Sequence, residues 1–339
     1  EGATPTGYYE NASPNAANPT SITLLGMELE VADEALDTLT QFQVGERVTV
    51  VLNGAGEVAY ACDPDDLTAQ ILGLVTSAGE NSAVELFNGL TVSGARSSST
   101  SVEVGELVRV NSTGIGEIAL YRITSSSISG SLNVAAGTLG GVPLASDVAV
   151  YDRVGRSLAV RVELEDIVTG TVSASDISYV GTNAAGEVAV IVLDDVTGNA
   201  YTYGFLRTGT QTEGSGDMQV TNRTVAVENS SGTTEEYITG SNSVRNNTVG
   251  GVAATSDGKT AGVVTLEEAE GVARSAFDGE DAVVLDGVRV SISDEVQVYN
   301  SDSGQWTSLS AAKSYADTFT VYYSGTIGED AVVRVILTA

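Results

Sequence analysis

Acids are almost the only side chains in this chain able to do chemistry. Asp and Glu number 45 against 15 Lys and Arg, with no His and a single Cys. Without His there is no Ser-His-Asp or Cys-His relay to activate a nucleophile, and no His-containing zinc site. One Cys builds neither a thiolate metal centre nor an internal disulfide. Cys62 sits in a strand-like run and reads as a small buried apolar residue. No Gly-x-x-x-x-Gly-Lys-Ser/Thr loop is present to cradle phosphates. A carboxylate pair acting on a glycoside is the catalytic arrangement the composition leaves open, but acids this plentiful single out no pair. The chain reads as a non-enzyme.

Carboxylates do suit hard cations, which need several oxygens at one place. Short acidic loops offer them at Asp63, Asp65 and Asp66, at Asp194 and Asp195, and at Asp278, Glu280 and Asp281, with Asp294 and Glu295 further on. The pairs Asp65-Asp66 and Asp194-Asp195 follow hairpin sequences that match each other. Calcium is therefore the one cofactor to expect, although no loop has the helix-flanked spacing of an EF-hand. The formal charge of −30 argues against nucleic acid, whose phosphates attract Lys and Arg, and against an anionic membrane surface. No apolar run is long enough to insert into a membrane. A chain opening on Glu1 reads as a processed product, and an acid-rich, lysine-poor composition is that of halophile proteins and of cell-surface proteins alike.

The elements that position these acids are strands. Gly is abundant at 38, aromatics are only 6%, and β-branched residues recur in short runs bounded by turn residues. A hexapeptide of the form Leu-x-Gly-apolar-x-apolar occurs at Leu24–Leu29, Leu139–Leu144 and Leu285–Val290. Each copy is followed some tens of residues later by a Gly-Glu turn, at Gly56-Glu57, Gly186-Glu187 and Gly328-Glu329. So long a period predicts whole β-modules in tandem rather than solenoid repeats. The expected fold is all-β: small antiparallel barrel or sandwich modules in an A-B-A-B-A order, with very little helix. Residues 1–20 read as an extended N-terminal arm, followed by modules A1 (21–79), B1 (80–138), A2 (139–207), B2 (208–284) and A3 (285–339). The two helix candidates are Leu266–Phe277 and Leu309–Tyr315. Tyr201, Tyr203 and Phe205 alternate along one strand and are expected to pack on a neighbouring module.

Several stretches resemble the regions outside the anchoring repeats of surface-layer proteins from Gram-positive Clostridia-type bacteria. They are Asp147-Val-Ala-Val-Tyr-Asp152, Ala185–Gly198 with Tyr201-Thr-Tyr-Gly204, Asp294–Asn300, Ala316–Tyr323 and Val333-Arg-Val-Ile336. Together they cover about half the chain, mostly 139–207 and 285–339, and they are strand-and-turn motifs rather than catalytic ones. The resemblance implies an extracellular structural protein that associates with copies of itself into a surface layer or filament. The helical repeats that bind cell-wall polysaccharide in that family are not visible, so contact with cell-wall or surface polysaccharide is expected only through other parts. Tyr8 and Tyr9 in the arm, and Trp306, Tyr322 and Tyr323 near the far end, are the expected assembly contacts. The alternative is a cell-surface adhesin or glycan-binding stalk, in which the array projects a binding tip.

Overall fold

A computed structural model describes residues 4–66, 71–87, 89–123, 130–183, 185–214, 219–241 and 244–338. The chain divides into two compact units, 1–125 and 126–339. Both are built almost wholly from strands.

Unit 1 begins with β1 (Thr6–Ser13), β2 (Ser21–Leu24), β3 (Met27–Glu30), β4 (Arg47–Leu52) and β5 (Val58–Cys62), in the sheet order β3-β2-β1-β4-β5. A parallel bridge, Val31 to Val58, brings the two ends of that sheet together. The short helix α1 (Leu36–Leu39) spans the crossover from β3 to β4. The segment expected as a free arm is thus the central strand of its own module. Its alternation Gly7-Tyr8-Tyr9 faces Tyr9 into the core, where the ring is fully buried. An arm of small and polar residues around one deeply buried aromatic is worth more as an inner strand than as a tail. The barrel of β6 (Ile71–Ser77), β7 (Asn81–Leu86), β8 (Thr91–Arg96), β9 (Leu107–Gly114) and β10 (Glu117–Arg122) follows. It closes because β10 pairs with β9 antiparallel and with β8 in parallel.

Unit 2 opens with β11 (Leu132–Asn133), β12 (Thr138–Leu139), β13 (Val142–Val154), β14 (Leu158–Val162), β15 (Thr171–Val172), β16 (Ile177–Thr182) and β17 (Val188–Asp194), ordered β15-β11-β12-β13-β17-β16 with β14 on β13. Next come β18 (Thr202–Glu213), β19 (Val220–Asn229), β20 (Gly232–Thr233), β21 (Tyr237–Ile238), β22 (Val249–Ala254) and β23 (Thr260–Thr265). This sheet repeats the B1 connectivity: β18 pairs with β19 and β22, β21 pairs with β19, β22 with β23, and a parallel bridge from Ile238 to Lys259 stands where β8 meets β10. Unit 2 ends with β24 (Glu267–Ala273), β25 (Phe277–Asp278), β26 (Ala282–Leu285), β27 (Val288–Asn300), β28 (Gln305–Thr307), α2 (Leu309–Tyr315), β29 (Thr318–Ser324) and β30 (Val332–Thr338). The order is β24-β29-β30-β27-β26-β25, with β28 on β27. Its two end strands are consecutive in the chain, joined by one 3-10 turn, just as β1 serves both β2 and β4 in the first module.

The hexapeptides are hairpins. In each, the second and third residues both take positive φ: Leu25 and Gly26, Gly140 and Gly141, Asp286 and Gly287. That is the type I′ turn, whose twist matches the strands it joins. The Gly-Glu sequences close a second hairpin in each A module. Asn53 Oδ1 accepts from the Glu57 amide at 3.0 Å while its Nδ2 donates to the Glu57 carboxylate at 2.8 Å. Asn183 and Glu187 repeat both bonds. The third copy is closed differently, by Asp330 accepting from the Thr326 amide at 2.7 Å.

The expected boundaries shift toward the N-terminus. β6 belongs to the barrel and not to the preceding sheet, and β18 belongs to the fourth sheet and not to the third. The purely antiparallel expectation is modified as well, because β13 with β17 and β27 with β30 pair in parallel. Leu266–Phe277 is a strand and a turn: Val272, paired with Phe319, packs against the core beside Ala269 and Ala276. The helix at Leu309–Tyr315 forms as expected, its N-terminus capped by Ser308 accepting from the Ala311 amide.

Candidate functional site

The densest polar arrangement among the described residues lies in unit 2, where its three modules meet. Parallel pairing sets Asp152 of β13 opposite Leu193 of β17, so the carboxylate reaches the residues just beyond that strand. There the chain turns through Asp195, which has φ of 57°, and offers two successive amides. Asp152 accepts from the Val196 amide at 3.0 Å, the Thr197 amide at 2.7 Å and the Thr197 hydroxyl at 2.6 Å. A carboxylate with 0% exposure is tolerable only when its oxygens are met this way.

Arg334 of β30, 4% exposed, holds the carbonyl side of the same residue, Thr197. One guanidinium nitrogen donates to the Thr197 carbonyl, a second to Asn199 at 3.3 Å and Ser293 at 3.4 Å, and Nε to Ser324 at 3.3 Å. Its Cζ lies 5.0 Å from the centre of the Tyr203 ring. Burial lowers the Arg334 pKa from its usual value, against the pull of Tyr203 and the surrounding carboxylates. Tyr203, whose hydroxyl donates to the Gly198 carbonyl at 3.0 Å, is pushed up to about 12, chiefly by burial. Thr197 is thus clamped between a buried anion and a buried cation that make no direct ion pair with each other. Removing either partner would leave the other charged and unmatched inside.

Beside the clamp is a recess of about 290 Å³ whose walls include Asp195, Tyr201, Glu267, Tyr323, Ser324 and Asp330. Tyr201 donates to Asp195 at 2.8 Å. Asp195 is exposed as a residue, yet its carboxylate is held by the Tyr201 hydroxyl. Loss of solvent raises its pKa, the Tyr201 hydrogen bond opposes this, and Asp152 and Asp194 raise it further. The same burial and the same carboxylate raise the Tyr201 hydroxyl strongly.

The acidic candidates do not gather around one point. Asp63, Asp65 and Asp66 form an exposed turn in which Asp63 caps the Asp65 amide at 2.9 Å. Burial, and after it the negative charge of Asp66 and Asp63, raises the pKa of the neighbouring Cys62 thiol, which is buried as expected. Asp194 pairs with Arg153 at 3.3 Å, whereas Asp195 faces the recess. Asp278 pairs with Arg289 at 3.2 Å, while Glu280 and Asp281 are exposed on the turn before β26. Among the described residues no three acidic side chains are placed to hold a metal ion.

The aromatic candidates separate in a similar way. Tyr9 is core, and its hydroxyl finds no hydrogen-bond partner among the described residues, which corrects its expected role as an assembly contact. Tyr8 is half-buried, with its amide donating to Ser112 at 3.1 Å. Trp306 packs 5.4 Å from Phe205 and 5.0 Å from Tyr299, measured between ring centres. Tyr201, Tyr203 and Phe205 do pack on a neighbouring module, the one formed by β24 to β30. Tyr322 is half-buried at that junction and pushed up to about 12 by burial and by Glu268, and Tyr323 lines the recess.

The clamp residues Asp152, Thr197 and Arg334 were not singled out by sequence reasoning. A signal existed: Arg334 is the lone charge in Val332-Val-Arg-Val-Ile-Leu337, and Asp152 ends the run Val148–Tyr151. A solitary ion inside an apolar run marks a charge that must be buried and matched.

Comparison with protein-family models, with curated proteins and with solved structures gives no match.

Proposed function

We propose that the chain is an extracellular structural protein that assembles with copies of itself into a surface layer or filament through end-to-end contacts between modules. The observation that carries this reading is the alternation itself: two sheet connectivities follow one another along the chain, and the later modules are locked together by the buried Thr197 clamp. Tandem modules of recurring connectivity give repeated surface, which suits a lattice better than a reaction centre. A heterologous contact between unlike ends propagates without closing. With β1 built into its own sheet, that contact falls to module surfaces and sheet edges rather than to an arm. A charge of −30 opposes association, so cations, calcium included, are expected to promote it.

Negative-stain electron microscopy of the purified protein, with millimolar calcium and after chelation, tests this directly. Ordered filaments or sheets are expected. Dissolution on chelation would add calcium bridging, and indifference to chelation would remove calcium while keeping assembly. Isolated particles under all conditions would overturn the reading. They would favour the stalk with a glycan-binding tip, for which the half-buried cluster of Phe205, Tyr299 and Trp306, with Arg207 5.7 Å from the Phe205 ring centre, is the supporting feature.

A further inference from the structure

We infer that the outer edges of β14 and β24 pair between copies of this chain, the basic edge strand of one copy adding to the acidic edge strand of the next. The inference rests on the self-assembly reading above and names its contact. β14 (Leu158–Val162) pairs only with β13, and β24 (Glu267–Ala273) only with β29. On its far side neither strand makes a backbone hydrogen bond to a described residue. Such an edge presents a row of N–H and C=O groups that a further strand can satisfy.

The backbone alone selects no partner, and charge does. Three of the chain's 15 basic residues, Arg153, Arg156 and Arg161, fall within the hairpin of β13 and β14. Arg156 and Arg161 are exposed and take part in no ion pair among the described residues. Arg153 is held by Asp194 at 3.3 Å, and Glu163, the acid nearest to Arg161 in sequence, caps the turn at Leu164–Asp166. Along β24 the exposed Glu267, Glu268 and Glu270 likewise enter no ion pair among the described residues, although Glu268 lies beside the Tyr322 hydroxyl. The other long outermost strands of unit 2, β16 and β23, carry no charged residue. The register of β24 shifts between Ala269 and Val272, which confines added pairing to Glu267–Glu270. Antiparallel addition there can set Arg161 opposite Glu268, with Glu270 on the diagonal. Like edges repel: two β24 strands set Glu against Glu, and two β14 strands bring Arg161 toward Arg161. The matched contact is therefore between unlike edges, and it repeats without closing.

The test is charge reversal and restoration in the full chain, followed by sedimentation velocity and negative-stain electron microscopy. Wild type is compared with Arg161→Glu, with Glu267→Arg/Glu270→Arg, and with the chain carrying all three changes. The paired substitution places a positive charge on each face of β24, so one of them meets residue 161 whichever face it takes. Each reversal is expected to raise the concentration needed for association about tenfold, and the triple variant to return it to the wild-type value. All three positions are exposed, and unchanged melting curves show that the variants fold; if one reversal unfolds the chain, the other reads the same contact. Association that neither reversal alters overturns the inference and leaves the assembly reading standing. Loss in both reversals with no recovery in the triple variant overturns it too. Association lost and recovered in sedimentation, with no filament or sheet in the micrographs, keeps the edge pairing and overturns the layer-or-filament reading. A wild type that stays monomeric at every concentration overturns both.

Discussion

Units 1 and 2 join an A-type to a B-type module in different ways. In unit 1 the joint is a shared apolar core with a few hydrogen bonds at its turn and no buried ion pair among the described residues. Leu25, at the tip of the first type I′ turn, is 0% exposed and belongs to one continuous core that runs from β1 through β10. The turn is fastened by its own backbone: the Ser93 amide donates to the Leu25 carbonyl at 2.9 Å, and the Glu10 carboxylate accepts from the Gly26 and Gly116 amides at 3.2 and 3.3 Å. In unit 2 each module keeps its own core, a fourth cluster of Val154, Tyr201, Tyr203 and Val335 fills the junction, and buried ions grip the connecting peptide. Apolar joints tolerate rearrangement, because dispersion and burial have no direction. A peptide held by an anion on one side and a cation on the other has one geometry. The same pair of sheet types can therefore be coupled by volume or by hydrogen-bond direction.

The third Leu-x-Gly turn sharpens the contrast. Asp286 and Gly287 adopt the backbone of Leu25 and Gly26, with φ of 50° and 80° against 54° and 72°, yet the flanking Val284 and Val288 are 43% and 37% exposed. Leu is a poor residue for a left-handed position, and Asp a tolerable one. Only the contacts of a buried side chain offset that backbone cost at Leu25.

The most damaging test exchanges these roles. Leu25→Asp should destabilise unit 1 by about 3–5 kcal/mol, through the lost burial and a charge placed in the core, whereas Asp286→Leu should cost only the left-handed backbone penalty, about 1 kcal/mol. Urea unfolding followed by circular dichroism measures both, and equal losses would show that the two turns do not differ in docking. Next in size, Arg334→Met should cost unit 2 about 3 kcal/mol by leaving Asp152 and the Thr197 carbonyl unmatched. A near-neutral result would mean that the aromatic junction alone holds the modules.

The turn glycines give a smaller, graded effect. Gly287→Ala meets no atom within 4 Å and should cost only the left-handed penalty, about 1 kcal/mol. Gly26→Ala would place its Cβ 2.6 Å from the Ser93 carbonyl oxygen and should cost clearly more. Thermal melts of the two variants decide it. The smallest effect is on pH dependence. Asp195 has a folded pKa above its unfolded one, so its stabilising contribution is complete below the ordinary carboxylate range and is lost as pH rises through the folded value. Asp195→Asn should remove that decline, so its melting temperature relative to wild type should rise with pH across that interval. An unchanged difference would show that the carboxyl is not desolvated.

Much of the local structure was legible in the residues. Leu-x-Gly between alternating apolar positions specifies a turn with two positive φ values, and Asn53–Glu57 and Asn183–Glu187 specify their own closing hydrogen bonds, because both involve atoms only four residues apart. The B modules, which lack a repeated phrase, reveal their common connectivity only in their strand pairings, among them β8 with β10 and Ile238 with Lys259. Strand assignment at Glu267–Ala273 was hidden, since a run of Glu and Ala has helical propensity that pairing with β29 overrides.

Composition and spacing by themselves determined an all-β chain of repeated turns, poor in helix and rich in acid, because periodicity, glycine placement and net charge are properties of neighbouring residues. Tertiary structure decided what those neighbours could not. It placed residues 6–13 inside a sheet, buried Asp152 and Arg334 on opposite sides of Thr197 across separations of 45 and 137 residues, and opened a recess where three segments meet. A buried charge is stable only where distant segments deliver its partners, and that delivery is set by how the modules pack.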